Sequence, residues 1–410
     1  MNGEILFIAH RLPFPPDRGD KIRSHHILKH LADIAPVHVA TFADDEADFA
    51  EEASLASMAA SYCLRRRTKP LPLAALQALA TGRAVSLTAF HDRALADYVA
   101  QTLATRSIAA IYVFSGQMGQ YVPADFPGRL IVDLVDVDSA KFEAYAAKRR
   151  GPMALVEARE ARLLGAEEAR LAARADVTLL ISAAETELFR SRLPAGSPAE
   201  VRVLGNGIDS AGFDPVLVSP EPRMLACTGP RLIFTGQMDY APNIDAARRV
   251  IERVLPRIRA IRPEASFHIV GRNPTPELLA RHGRDGCHVW GRVDDVRPWL
   301  AAADGALIPL EIGRGVQNKV LEAMSMALPV VLSREAATGI AAQDGEHFAV
   351  ADTDAALAES VLTLLDDTAR ARRLGEAARR FVVENVSWDA ALAPLAEFIQ
   401  AKGGAQRHAA

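Results

Sequence analysis

The chain is predicted to fold as two α/β units, each a parallel sheet with helices on both faces. Three observations predict it. Short apolar runs ended by glycine or polar loops alternate with stretches of helical periodicity along most of the chain. Both patterns lapse from Pro215 to Pro230 and then restart. At 410 residues the chain also exceeds one ordinary domain, which holds roughly 150. The first domain is expected over residues 1–212 and a linker over 213–229. The second is expected over 230–385, with a closing helix over 386–402 packed back on the first domain and a frayed tail over 403–410.

In the first half, Ile5 to Ala9 reads as a buried strand. The polar loop H-R-L-P-F-P-P-D-R-G-D-K-I-R-S follows, and a helix is expected from about Ser24 to Ile34. The loop leaves the carboxyl end of the strand, where ligands of parallel sheets sit. Arg18, Gly19, Asp20, Lys21 and Arg23 crowd charge around one glycine there, a mix suited to a sugar or a polyanion. Val37 to Phe42, Ile108 to Phe114, Leu130 to Val135, Val177 to Ser182 and Val201 to Leu204 supply further strands. Asp138 and Ser139 leave the fourth of these six strands, and Asp138 is read as a polar group facing an acceptor. Asp136 and Asp138 also spell D-x-D, but the isolated triplet is common and no metal is assigned. The segment Arg65, Arg66, Arg67 and Lys69 precedes an apolar helical run, Leu71 to Leu79. It reads either as a patch for an anionic membrane or as an ordinary helix with a basic cap.

In the second half, strand, glycine and helix repeat four times, over Leu232 to Thr235, Ser266 to Val270, His288 to Trp290 and Ala306 to Leu310. Gly236, Gly271 and Gly291 each mark a strand end where backbone approaches a ligand. The fourth repeat organises the rest. After Ala306 to Leu310 comes a glycine loop with Gly313, Arg314 and Gly315, then a helix start with Asn318, Lys319 and Glu322, then the strand Pro329 to Leu332. A strand, glycine loop and helix start form an anion site, because free backbone N–H groups and the helix dipole point at the charge. Arg314 and Lys319 add two positive charges, and Glu322 shares the helix face of Lys319. Cations for phosphate beside a carboxylate for hydroxyls suit a nucleotide-linked substrate.

Composition limits the function classes. Half the residues are hydrophobic and the net charge is −4, which argues against a nucleic-acid binder. The three cysteines are far apart and have no zinc or disulfide spacing, which fits a reducing cytoplasm. The N-terminal apolar run is too short for a signal peptide, and no window reaches the ~18 apolar residues of a membrane span.

The motifs V-L-G-N-G-I-D (203–209), I-F-T-G-Q-M (233–238), H-I-V-G-R-N-P (268–274), V-W-G-R-V-D-D-V (289–296) and K-V-L-E-A-M-S-M-A-L-P-V-V (319–331) resemble the retaining glycosyltransferase family 4. The fold this implies is GT-B, with two Rossmann-like parallel-sheet domains facing an interdomain cleft. Pairing R-L-P-F-P-P-D-R-G-D-K-I-R-S with D-L-V-D-V-D-S and R-G-V-Q-N-K-V-L-E-A-M is similar to the sugar transferases of bacterial exosortase and exopolysaccharide systems. The resemblance implies a nucleotide-diphosphate sugar as co-substrate, no cofactor and no metal. It also implies a lipid-linked glycan acceptor, and work in the cytoplasm at the inner face of the membrane. Glu322 would hold the ribose hydroxyls, the diphosphate would rest on basic side chains and helix-end amides, and the loops at Gly271 and Gly291 would flank the base. The donor-side set is thus Glu322, Gly236, Gly271, Arg272, Gly291, Gly313, Gly315 and Asn318. Arg314, Lys319 and Asp138 are the residues expected to carry the chemistry. The acceptor side would be Arg18, Gly19, Asp20, Lys21, Arg23 and Ser139.

The chain departs from the family in two places. The E-x7-E pair fails, because Arg314 stands where the first glutamate belongs, and Glu311 lies three positions away. The usual Arg and Lys after the first C-terminal strand are replaced by Gln237 and Y-A-P-N. Arg314 and Lys319 are expected to compensate by bringing phosphate-binding charge into the key loop. Of the rival readings, a nicotinamide dehydrogenase lacks its G-x-G-x-x-G after the first strand, which runs into A-H-R-L-P-F. A nucleotide-sugar epimerase on the same fold lacks a reason for the long acceptor loop. An inactive GT-B scaffold remains the reading that the lost glutamate favours.

Overall fold

The computed structural model describes residues 3–313 and 315–400. The chain divides into two compact units, residues 1–206 with 391–410, and residues 207–390. The first is built on seven strands: β1 (Glu4–Ala9), β2 (Val37–Ala43), β3 (Ser61–Arg66), β4 (Ile108–Phe114), β5 (Arg129–Val135), β6 (Val177–Leu180) and β7 (Val201–Val203). They lie in the order β3-β2-β1-β4-β5-β6-β7, all parallel. The order reverses at β1, which sits between β2 and β4. In such a sheet the crevice beyond the strand ends at the reversal is where ligands collect. The second unit repeats the plan with β8 (Arg231–Thr235), β9 (Ser266–Val270), β10 (Cys287–Gly291), β11 (Gly305–Ile308), β12 (Val330–Leu332) and β13 (Ala349–Val350). Their order is β10-β9-β8-β11-β12-β13, again parallel, with the reversal between β8 and β11.

Covered on both faces, the central strands are apolar throughout rather than alternating. Ile5, Leu6, Phe7 and Ile8 are fully buried, as are Ile111 and Val113 of β4. Leu232, Ile233 and Phe234 play the same part in the second unit, with Phe267 and Leu307 beside them. Between β9 and β10 the packing is partly polar. The rings of His268, His288 and Trp290 stack. The Trp290 indole N–H donates to His268 Nδ1 (3.1 Å), so the imidazole carries its proton on Nε2 and donates to Ser266 Oγ (2.9 Å). Burial, with smaller contributions from His288 and Arg231, lowers the His268 pKa to about 3, so this ring stays neutral. The stack fixes the two strands that end at Gly271 and Gly291.

The structure corrects the sequence reading at several elements. The basic segment Arg65 to Lys69 does precede a helix, Leu71–Thr81, but Arg65 and Arg66 also end an edge strand, β3, that the sequence reading did not expect. Arginines are common on such edges because they discourage pairing with other chains. The helix expected from Ser24 starts at Gly19, so Gly19, Asp20, Lys21 and Arg23 stand in its first turns rather than in a loop. Asp20 in that first turn suits the helix dipole. Within 213–229 a short helix, Pro222–Leu225, buries Met224 in the second core. The last helix, Trp388–Gln400, passes from one unit to the other at Ala390, and the Phe398 carbonyl accepts from Arg129 of β5 (2.9 Å). The tail expected over 403–410 lies outside the described residues. Among the described residues no helix is long and apolar enough to cross a membrane.

Candidate functional site

The second unit places Gly236, Gly271 and Lys319 in the segments that follow β8, β9 and β11. Beyond β8 the chain passes through Gly236 and enters the helix Ala241–Arg249. Beyond β11 it passes the glycine loop and enters the helix Asn318–Ser325. Neither helix start carries a side-chain cap. At the first, Pro242 has no N–H and the Asn243 N–H donates to Tyr240 O (2.9 Å), so the amides that face an anion are chiefly those of Asn318 and Lys319 at the second. The two backbones at β8 and β9 run so close that a Cβ on Gly271 would lie 1.6 Å from the Gly236 carbonyl oxygen. Only glycine fits there. Gly271 N–H donates to Gly291 O (2.9 Å), which ties the third glycine to the same edge. The Gly313 backbone is pressed just as tightly onto the carbonyl of Glu335, where a Cβ would lie 1.9 Å from the oxygen. That contact sets the path of the loop between β11 and Asn318.

Lys319 is the centre of this edge. Its Nζ lies 4.8 Å from the centroid of Phe234 and would stand 3.1 Å from a Cβ on Gly236. It donates to Asn243 Oδ1, and the Asn243 amide in turn donates to Gln237 O (2.9 Å). Asn243, in the Y-A-P-N segment, was missed as a site residue by the sequence reading. The signal was a polar residue in the first turn of a helix at a strand end. The ammonium thus has an amide partner and an aromatic face. Among the described residues no carboxylate lies within ion-pair distance of it. Burial lowers its pKa to about 8, opposed by the field of Glu322 one turn along. Burial likewise raises the Glu322 pKa, opposed by Lys319. Both groups are held toward their neutral forms. An arriving anion reverses that for the lysine.

The other expected donor residues stand around this centre. Arg272 is exposed beyond Gly271 and donates to Gln237 Oε1 (2.9 Å). Asn318, exposed, opens the helix that carries Lys319, and Gly315 is exposed in the loop before it. Arg314 lies outside the described residues. Glu311 pairs with Arg253 (3.2 Å). Among the described residues no group of three or more His, Cys, Asp or Glu could hold a metal ion.

In the first unit the expected acceptor residues separate into two sets. Arg18, Gly19 and Asp20 are at the surface of the β1 end. Asp20 bonds Arg11, and Arg18 reaches Asp44 (3.3 Å). Burial would raise the Asp20 pKa, but bonds from His10 and Arg11 outweigh it and hold the carboxyl well below the usual range. Lys21 and Arg23 are turned inward instead. Lys21 Nζ bonds Asp48 Oδ1 (2.5 Å) and Phe14 O (2.9 Å). Arg23 bonds Asp133 (2.9 Å) and Asn206 Oδ1 (2.9 Å), and the Tyr112 hydroxyl donates to the same Asp133 carboxylate (2.8 Å). Ser139 is buried and donates from Oγ to Glu168 (2.6 Å). Lys21, Arg23 and Ser139, expected to face a ligand, are instead buried on partners of their own unit. Their burial follows from carboxylates on distant elements. Asp138 opens the helix Asp138–Lys148, half-buried, and with Asp136 it holds Lys141 (3.2 and 2.8 Å), so both carboxylates of the D-x-D share one ammonium.

Two parallel α/β units of this order, each with its ligand loops at the strand ends, are the GT-B fold. The chain is similar in fold to the solved structure of Anabaena Alr3699/HepE in complex with UDP, with a TM-score of 0.59 over 97% of this chain and 100% of that one at 15% identity. Residues 229–367, which hold the Lys319 site, match the family model described as glycosyl transferases group 1. The chain is similar to glycogen synthase of Mycobacterium tuberculosis, 29% identical over 230 residues that make up 53% of this chain and 52% of the relative. It is similar also to a GDP-mannose-dependent phosphatidylinositol monomannoside mannosyltransferase of Corynebacterium glutamicum, 28% identical over 54% of this chain and 61% of that protein. The matches span about half the length of these relatives.

Proposed function

We propose that the protein is a glycosyltransferase that moves a sugar from a nucleotide-diphosphate donor to an acceptor hydroxyl with retention. The observation that carries this reading is Lys319, which among the described residues has no carboxylate in ion-pair contact and stands at an uncapped helix start beside Gly236, with Glu322 one turn on. The match of residues 229–367 to group 1 glycosyl transferases supports it. The diphosphate lies against Lys319, Arg314 and the amides at the start of the helix Asn318–Ser325, and Glu322 takes the ribose hydroxyls. Preorganised cations stabilise charge as it develops on the leaving oxygen. In the transfer the bond from the anomeric carbon to the phosphate oxygen breaks. The acceptor oxygen bonds to the same face of that carbon, and its proton passes to the departing phosphate. No metal has a step in this scheme. On the acceptor side Arg18, Gly19, Asp20 and Asp138 meet a lipid-linked glycan at the cytoplasmic face, as in cell-surface polysaccharide synthesis. This part rests on the sequence resemblance.

The exchange of the family's first glutamate for Arg314 favours one second reading, a scaffold that binds donor without turning it over. A panel of nucleotide sugars, offered to the pure protein with and without a polyprenyl-diphosphate-linked glycan, separates the two. Transfer or donor hydrolysis with any of them is the expected result. Binding without either leaves the scaffold.

A further inference from the structure

The helix Leu71–Thr81 is built inside out. Its buried residues are the small Ala74 and Ala78, whereas Leu71, Leu76 and Leu79 are 66%, 65% and 66% exposed. It contains no charged residue. A surface helix of a water-soluble domain turns leucine inward and charge outward. A second segment of the same unit repeats the arrangement. The helix Pro152–Arg174 starts after Lys148, Arg149 and Arg150, and its first turns expose Met153, Leu155 (75%) and Val156. Arg159, on the same stripe as Leu155 and Val156, donates to the Ala78 carbonyl (2.9 Å). Glu160 beside it accepts from the amides of Val85 and Ser86 (2.7 and 2.8 Å). The two helices are thus tied together at Ala78 and Arg159, next to Leu79 on one and about a turn past Val156 on the other.

Charge says what covers them. The whole chain is acidic at −4, yet residues 53–91 and 144–156 together carry eight Lys and Arg and no Asp or Glu. Arg65, Arg66 and Arg67 meet Asp92, Glu46 and Asp44 from outside these segments, and Arg149 meets Glu157 (3.0 Å) just past the second. Lys69 is bound to the Thr88 and His91 carbonyls, which leave its charge in place. Lys148 and Arg150 are exposed. Leucine tips rimmed by cations fit an interface of hydrocarbon beneath anionic headgroups. We propose that the helix start at Leu71 and the turn at Lys148–Val156 form one docking surface for an anionic phospholipid bilayer. Of the two readings of residues 65–79, the proposal takes the membrane and adds a second contact that the sequence reading did not single out.

The proposal does not depend on sugar transfer, and its test contains no nucleotide sugar. The full chain is sedimented with vesicles of phosphatidylcholine alone and with vesicles containing phosphatidylglycerol. Wild type is expected in the pellet only with the anionic vesicles, and to be released by salt. The double variant K148Q/R150Q is expected to weaken partitioning about thirtyfold, since each basic residue near the surface is worth about fivefold. The double variant L76Q/L79Q is expected to weaken it at least about tenfold. All four side chains are at the surface, so unchanged melting curves confirm that the variants fold. Wild type left in the supernatant with anionic vesicles overturns the proposal, as do variants that bind like wild type. So does a vesicle-free dimer that L76Q/L79Q dissociates while wild type ignores vesicles, because the leucines then cover a second copy of the chain.

Discussion

Both units place basic residues just past a strand of a parallel sheet, and they use them in opposite ways. In the first unit Lys21 and Arg23 are buried against Asp48 and Asp133, charge against charge, with Asn206 accepting from the arginine and Tyr112 donating to Asp133. In the second, Lys319 has an asparagine amide, a phenyl face and a lowered pKa. The first arrangement is closed and holds the fold. The second leaves a cation that gains by meeting an anion. A basic residue after a strand is therefore not by itself a ligand site. What distinguishes the two is whether a carboxylate of the same unit has already been matched to it.

The contrast can be broken from either side. The largest effect is expected at the closed pair. Asp133→Ala strands the Arg23 guanidinium in the core and should cost about 3–5 kcal/mol of stability. At a temperature where the variant is folded, nucleoside-diphosphate affinity measured by calorimetry should stay at the wild-type value. A large loss of affinity with little loss of stability would put Arg23 and Asp133 in the ligand site. A smaller effect, of another kind, is expected at the open cation. Lys319→Ala should leave the melting curve near wild type and lower turnover about a hundredfold, the loss expected for one preorganised group facing developing charge. Wild-type turnover from this variant would remove the phosphate role of Lys319.

The sheets were legible because strands buried on both faces read as unbroken apolar runs. Ile5 to Ala9 needed nothing more than that pattern. The strand β3 was not legible, because an edge strand ending in Arg65 and Arg66 lacks the run. In the candidate site, the glycines and Lys319 were legible through local order: strand, glycine, helix start. What that order does not contain is the partner. Lys21 finds Asp48 27 residues away, Ser139 finds Glu168 29 away and Arg23 finds Asp133 110 away. Each pairing turned an apparent ligand residue into a buried ion pair or hydrogen bond. Asn243, 76 residues from Lys319, was hidden for the same reason.

The central claim is that the ammonium of Lys319 receives the donor's diphosphate, and its titration tests this most directly. The site needs the cationic form, which prevails below the free-state pKa of about 8 and is lost as pH rises through it. Bound diphosphate raises that pKa, so protons are taken up on binding at the upper end of the range. Calorimetric titration with the tightest-binding nucleoside diphosphate, one pH unit below and one above that midpoint, should show affinity falling up to about tenfold in wild type. In Lys319→Ala the affinity should be weak and flat across the same interval. Equal affinities for wild type at the two pH values, or the same fall in Lys319→Ala, would contradict the account.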